Sequence, residues 1–213
     1  MKPRMKTCLT LTSRRNAVQS MAGAVALALG AGVLTACTPD KPQFKSVDLT
    51  GADYASGFSL SDQNGQTRTL KDFAGKVVVV FFGYTQCPDV CPTTMAELAQ
   101  VKKLLGADGD KLQAVFITVD PERDTPELLK AYMGNFDPSF VALRPSMAQL
   151  PEVAKDFKVF YKKAEGKTPS SYSMDHSAGS YIFDAKGRIR LYTRYGSGAE
   201  NLVSDIRLLL KNT

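Results

Sequence analysis

The 213-residue chain is 44% hydrophobic, has no tryptophan and shows no internal repeat, so it holds enough apolar material for one substantial core and a repeat architecture is set aside. Its formal charge of +6 is concentrated at the amino-terminal end, where residues 1–36 carry five cations and no carboxylate, leaving 22 basic against 21 acidic side chains in the rest. A nearly neutral body excludes a polyanion partner, and no nucleic acid is expected.

The leader begins with Lys2, Arg4, Lys6, Arg14 and Arg15, continues through an apolar stretch of small residues from Ala22 to Val33, and ends in Leu34-Thr35-Ala36-Cys37 before the polar segment Thr38 to Gln43. This is the order of a secretory signal, and its ending resembles the lipobox of bacterial lipoproteins, in which cleavage leaves the cysteine as a lipidated first residue. Residues 1–36 are therefore expected to be a signal, Cys37 the lipidation site, and residues 37–50 a tether. The alternative is an uncleaved membrane helix over residues 17–36, long enough to span but weakened by Gln19 and Ser20. Ser13-Arg14-Arg15 also opens like a twin-arginine signal, but Asn16 to Gln19 continue it poorly. Either anchor leaves the body facing the periplasm or another extracytoplasmic space, where disulfides persist. Cys8 belongs to the leader, so the exported domain, residues 51–213, has only Cys87 and Cys91. A bridge closing so small a loop removes little unfolded-state entropy, which points to a chemical task for the pair.

Beyond the tether, Phe58 to Asp62 and Gln66 to Leu70 flank Gln63-Asn64-Gly65, a strong signal for an amino-terminal β-hairpin. Lys76 to Gly83, KVVVVFFG, reads as a central strand buried on both faces. Pro92 suits the first position of a helix running to about Leu105, with Met95, Leu98, Val101 and Leu105 on its apolar face. A second buried strand is expected from Leu112 to Val119, then a turn over Asp120 to Thr125 and a helix from Pro126 to Gly134. A helix over about Met147 to Phe157, a short strand Val159 to Lys162 and a polar loop Glu165 to Ser173 follow. The chain closes with strands Ser180 to Asp184 and Ile189 to Tyr195 around Ala185-Lys186-Gly187, and a helix from Ala199 to Lys211. The order predicts an α/β fold, a central mixed β-sheet flanked by helices, compatible with a thioredoxin-like architecture.

With Pro92 at the first helical position, Cys91 becomes the expected N-cap and Cys87 lies one turn earlier in the loop leaving the central strand. Free amide groups and the helix dipole there favour thiolate, which serves nucleophilic attack and metal ligation alike. Two thiolates sharing a metal sit roughly 4 Å apart, against about 2.05 Å in a disulfide, and the three-residue spacing suits the wider separation without forbidding the narrower. The only histidine, His176 in Ser173-Met-Asp-His-Ser-Ala-Gly, precedes the strand SYIF in the loop expected to face the dithiol. Two thiolates and an imidazole are too few for a closed zinc site and suit Cu(I), with the imidazole also serving Cu(II).

Gly83-Tyr-Thr-Gln-Cys-Pro-Asp-Val-Cys-Pro-Thr-Thr, then Asp120-Pro-Glu-Arg-Asp-Thr, then Asp175-His-Ser resemble, in this order and spacing, the Sco/SenC family of copper-binding thioredoxin-like proteins over about residues 45–211. The resemblance implies a membrane-anchored copper chaperone that helps supply the binuclear copper centre of cytochrome c oxidase. It implies Cys87, Cys91 and His176 as ligands for Cu(I) and/or Cu(II), with thiol-disulfide chemistry attached. The copper-bearing oxidase subunit, a copper donor protein and a thiol reductant are the implied partners.

Around these ligands, Asp120 and Asp124 have two readings: tuning the site or meeting a partner, and forming an Asx turn and a helix N-cap. Asp175 is a candidate to orient the imidazole, with a solvated loop carboxylate as its alternative. Met174 offers a soft sulfur but fits packing better, and Phe81 and Tyr84 read as core. The leading alternative function is a thiol-disulfide reductase acting on an oxidase subunit or another exported protein, which needs Cys87 and Cys91 but not His176. A peroxiredoxin is disfavoured because the threonine its chemistry requires three residues before the reactive cysteine is replaced by Tyr84 or Pro88.

Overall fold

The computed structural model describes residues 42–166 and 171–211, so the expected signal, Cys8 and the lipidation site Cys37 lie outside the described residues. Among the described residues no helix is long and apolar enough to cross a membrane. The strands are β1 (Val47–Asp48), β2 (Ser59–Asp62), β3 (Thr67–Thr69), β4 (Val77–Gly83), β5 (Leu112–Thr118), β6 (Val141–Arg144), β7 (Tyr161–Ala164), β8 (Ser173–His176), β9 (Ser180–Phe183) and β10 (Ile189–Thr193). The helices are α1 (Val90–Leu105), α2 (Pro126–Gly134), α3 (Gln149–Asp156) and α4 (Ala199–Lys211).

Eight strands form one mixed sheet in the order β1-β10-β9-β4-β5-β6-β2-β3, while β7 and β8 make a separate antiparallel pair. Strand β4 lies parallel to β5 and antiparallel to β9, and all of its residues are buried, as its unbroken β-branched and aromatic sequence requires of a strand covered on both faces. The β2–β3 hairpin forms as expected: the Asp62 carboxylate accepts from the Asn64 and Gln66 amides, and Gly65 takes the positive φ of +79° that the turn needs.

This topology brings three distant sequence segments to one end of the sheet. Gly83 and Thr118, the last residues of the parallel strands β4 and β5, are register partners, so the loops after them leave side by side. Ser180 pairs with Phe81, so the chain entering antiparallel β9 arrives at the same end carrying Ser177 to Gly179. Ligand sites of open α/β sheets form at this carboxyl end of the parallel strands.

Several boundaries differ from the sequence expectations. Helix α1 begins at Val90 with Asp89 as N-cap, so Cys91 is its second residue and Pro92 its third. Proline is tolerated there because the first-turn amides have no intrahelical partner to lose. The strand expected from Val159 starts at Tyr161, because Lys158 adopts a φ of +53° and the Val159 amide returns to the Ala154 carbonyl to close α3. His176 is not in a loop but ends β8, whose Tyr161↔His176 register pairs it with β7. Strands β1 and β6 carry no strong sequence signal. Within the expected tether, β1 pairs with β10, and the Lys45 and Ser46 amides donate to the buried Asp205 carboxylate at 2.7 and 2.8 Å.

Candidate metal centre

Cys87, Cys91 and His176 present three potential ligand atoms that all lie within 4.8 Å of one another. Both cysteines are free; Cys91 is fully buried, and Cys87 is half-buried nearer the surface. The His176 ring packs edge-on to Phe81 and Tyr84, with centroids 6.0 and 5.9 Å away, and its Nε2 lies 3.5 Å from Cys91 Sγ. Its Nδ1 is 2.9 Å from the Ser177 carbonyl, which can only accept, so Nδ1 carries the proton and Nε2 turns its lone pair toward the sulfurs. This is the tautomer a metal ligand requires, held by a backbone carbonyl.

The electrostatics differ from the sequence expectation in one respect. Burial pushes the Cys91 thiol well above the usual cysteine range, outweighing the hydrogen bond from the Tyr84 backbone, so position near a helix start does not by itself make this sulfur a thiolate. Burial also holds the His176 imidazole below its ordinary value, against the Ser177 hydrogen bond and the charge of Asp175 that favour protonation. At neutral pH the metal-free site therefore contains a protonated Cys91 and a neutral imidazole.

Asp124 is fully buried and reaches across to the cysteine loop: it accepts from the Thr85 amide at 3.2 Å, the Thr85 hydroxyl at 2.6 Å and the Thr118 hydroxyl. Its carboxyl is pushed up by burial, with the threonine hydrogen bonds opposing the shift. The N-cap of α2 is instead Thr125, whose hydroxyl accepts from the Leu128 amide. Asp120, also buried, pairs with Arg123 and accepts from the Tyr172 hydroxyl at 2.9 Å. Asp175 is exposed, and the partner of Nδ1 is the Ser177 carbonyl rather than this carboxylate, so Asp175 acts on the imidazole only through its charge. Met174 is half-buried against the core, and Phe81 and Tyr84 are buried as expected.

Three contributors escape a reading of the sequence. Gly83 is needed because a β-carbon there would lie 2.8 Å from Cys91 Sγ and from Phe81 and 2.9 Å from Phe116. Arg123 stands inside a recognisable motif, but nothing local reveals its partners. Tyr172 gives no signal in its polar surroundings.

The SCO1/SenC family model matches residues 47–211. An SCO2-like protein of Rickettsia conorii is 33% identical over 190 residues, covering 86% of this chain and 93% of the relative. The structure of Bradyrhizobium japonicum ScoI with copper bound is similar at 40% identity and a TM-score of 0.66, covering 72% of this chain and 97% of that one. An SCO1/SenC family lipoprotein from Bacillus anthracis is similar at 28% identity and a TM-score of 0.62, covering 72% and 92%.

Gly83→Ala tests the packing behind the sulfur. The added methyl must displace Cys91 Sγ or the adjoining rings, which costs about 1–3 kcal/mol of overpacking. Urea denaturation should show that loss and titration should show weakened metal binding, whereas unchanged stability and affinity would contradict the contact.

Proposed function

The chain belongs to the SCO1/SenC family, and from that premise we propose that it is a membrane-anchored, extracytoplasmic copper chaperone that helps deliver copper to the binuclear centre of cytochrome c oxidase. The observation that carries this reading is the convergence of two cysteine sulfurs and the unprotonated Nε2 of His176 within 4.8 Å. Copper is the cargo. Thiolate sulfur and imidazole nitrogen suit Cu(I), and the nitrogen extends the set toward Cu(II).

Half-buried Cys87 is the point of entry, and the buried Cys91 and half-buried His176 complete the set. The cation supplies the charge that lets Cys91 give up its proton in an apolar setting, so copper uptake releases protons and strengthens as pH rises. A Cys87–Cys91 disulfide offers no thiolate and blocks loading, which links copper acquisition to a thiol reductant. The copper-bearing oxidase subunit is the recipient, and a copper donor protein supplies the site. The copper-bound Bradyrhizobium japonicum relative supports the cargo, and the Bacillus anthracis lipoprotein supports a lipid anchor at Cys37.

The reductase reading uses the same two cysteines. The burial that raises the Cys91 pKa makes it a poor attacking thiolate, and the imidazole turned toward it has no task in dithiol exchange, which favours the chaperone.

His176→Ala separates the two. Cu(II) affinity should fall by more than the roughly 100-fold upper range seen for outer-shell partners, while the Cys87/Cys91 reduction potential stays nearly constant. Cells carrying the variant should make oxidase deficient in copper, and full oxidase copper content would defeat the chaperone mechanism. For the anchor, mass spectrometry of the mature protein should find lipidated Cys37 as the first residue; retention of residues 1–36 would replace the lipid with a membrane helix.

A further inference from the structure

We propose that Arg123 is a positioning residue that latches the histidine-bearing hairpin onto the cysteine loop and so sets how readily the site gives up its metal. The proposal rests on the copper-site reading above.

Strands β7 and β8 form their own two-stranded sheet, with no ladder to the eight-stranded sheet that carries the cysteine loop. Backbone pairing therefore fixes His176 relative to Tyr161, but not relative to Cys87 and Cys91. That distance is held on one side by the short link Ser177 to Gly179 into β9 and by the packing of the imidazole on Phe81 and Tyr84, and on the other by side chains at the base of the hairpin. Along this strand His176, Met174 and Tyr172 share the inward side of the two-residue repeat, while Ser173 and Asp175 face water. Tyr172 is buried, so whatever grips it also places the imidazole four residues later.

Arg123 provides that grip. Its Nε pairs with the Asp120 carboxylate. Its Nη1 donates to the Tyr172 carbonyl at 2.8 Å and to Gln86 Oε1 at 3.1 Å, and Gln86 is the residue next to Cys87. The guanidinium carbon lies 3.5 Å from the centroid of the Tyr172 ring and 5.7 Å from that of Tyr84. The Tyr172 hydroxyl closes the loop by donating to Asp120, and Lys163 of β7 approaches the same ring at 3.8 Å. One planar cation thus touches the segment with the first sulfur and the strand with the imidazole. Its Nη2 is buried and has no partner among the described residues, so the fork is oriented by these other contacts. A lysine keeps the charge opposite Asp120 but lacks both the fork and the stacking plane.

When the latch holds, the imidazole stays beside the sulfurs. When it opens, the hairpin swings and leaves copper on Cys87 and Cys91 alone, which is the state a recipient strips most easily. The latch acts through His176, and this distinguishes it from a general support of the fold.

The test uses the full chain in detergent, loaded with copper, as wild type, Arg123→Lys, Gln86→Ala, His176→Ala and the Arg123→Lys/His176→Ala double variant. Circular dichroism checks folding, paramagnetic resonance of the Cu(II) form reads nitrogen coupling, and transfer to a chelator gives release rates. Arg123→Lys should bind one copper per chain, lose nitrogen coupling and release copper about tenfold faster, the scale on which outer-shell partners act. Gln86→Ala, which removes only the cysteine-loop contact, should accelerate release in the same direction but less. In the His176→Ala background Arg123→Lys should add nothing, because the step it controls is already gone. Unchanged release from Arg123→Lys, or equal acceleration with and without His176, overturns the latch. If Arg123→Lys does not fold, unchanged release from Gln86→Ala overturns it. A wild-type chain that takes up no copper overturns the copper-site reading, and the latch with it.

Discussion

The Asp124 carboxylate, fully buried between the two loops that leave the parallel strands, is the constraint on which the site depends. A carboxyl group withdrawn from water costs several kcal/mol unless its oxygens are occupied, and here Thr85 from one loop and Thr118 from the end of β5 occupy them. The cost of leaving that carboxyl unpaired becomes the force that holds Thr85, two residues before Cys87, against the strand end. Arg144 secures the other side of the turn by donating to the carbonyls of Asp124 and Pro121. With both ends fixed, the cysteine loop has little freedom left. The chain then enters α1 with Cys91 pressed against the bare α-carbon of Gly83.

The setting this creates is apolar, and it stores both donors in their uncharged forms. Cys91 is held as a thiol by burial, His176 is held neutral by burial, and the Ser177 carbonyl selects the tautomer that leaves Nε2 free. A soft cation that displaces the thiol proton keeps the charge of the buried sulfur compensated, which a hard ion does less well. Selectivity and reversibility thus share one origin, because the environment that favours copper over nothing also makes the empty site stable. The imidazole arrives on a separate two-stranded sheet, so the three donor atoms are gathered from two sheets and not from one.

Much of this was legible in the sequence, and the exceptions have physical causes. The runs Val77–Gly83 and Leu112–Thr118 announce buried strands because solvent never touches them, and helices α2 and α4 run over the residues their patterning indicates. Strand β8 was hidden because Ser-Met-Asp-His has little β propensity and is held by its pairing with β7. Pro92 drew the start of α1 two residues too late, since proline marks a first turn without marking its first residue. The spacing of the cysteines and the isolation of one histidine pointed to the three residues whose donor atoms the structure brings together. The sequence could not reveal that Asp124 reaches back 39 residues to Thr85, or that Arg123 meets Tyr172 at a separation of 49, because such partners exist only once the sheet has gathered them. The expectation of a thiolate at the helix start failed for the same reason: burial is a tertiary property, and at Cys91 it outweighs the local dipole.

The central claim is that one metal ion is held at once by the cysteine loop and the histidine strand. X-ray absorption at the copper edge of the reduced, copper-loaded full chain tests it most directly. The account predicts a first shell of two sulfurs and one imidazole nitrogen around a single copper per chain. A shell of sulfur alone, or of oxygen and nitrogen without sulfur, would contradict it.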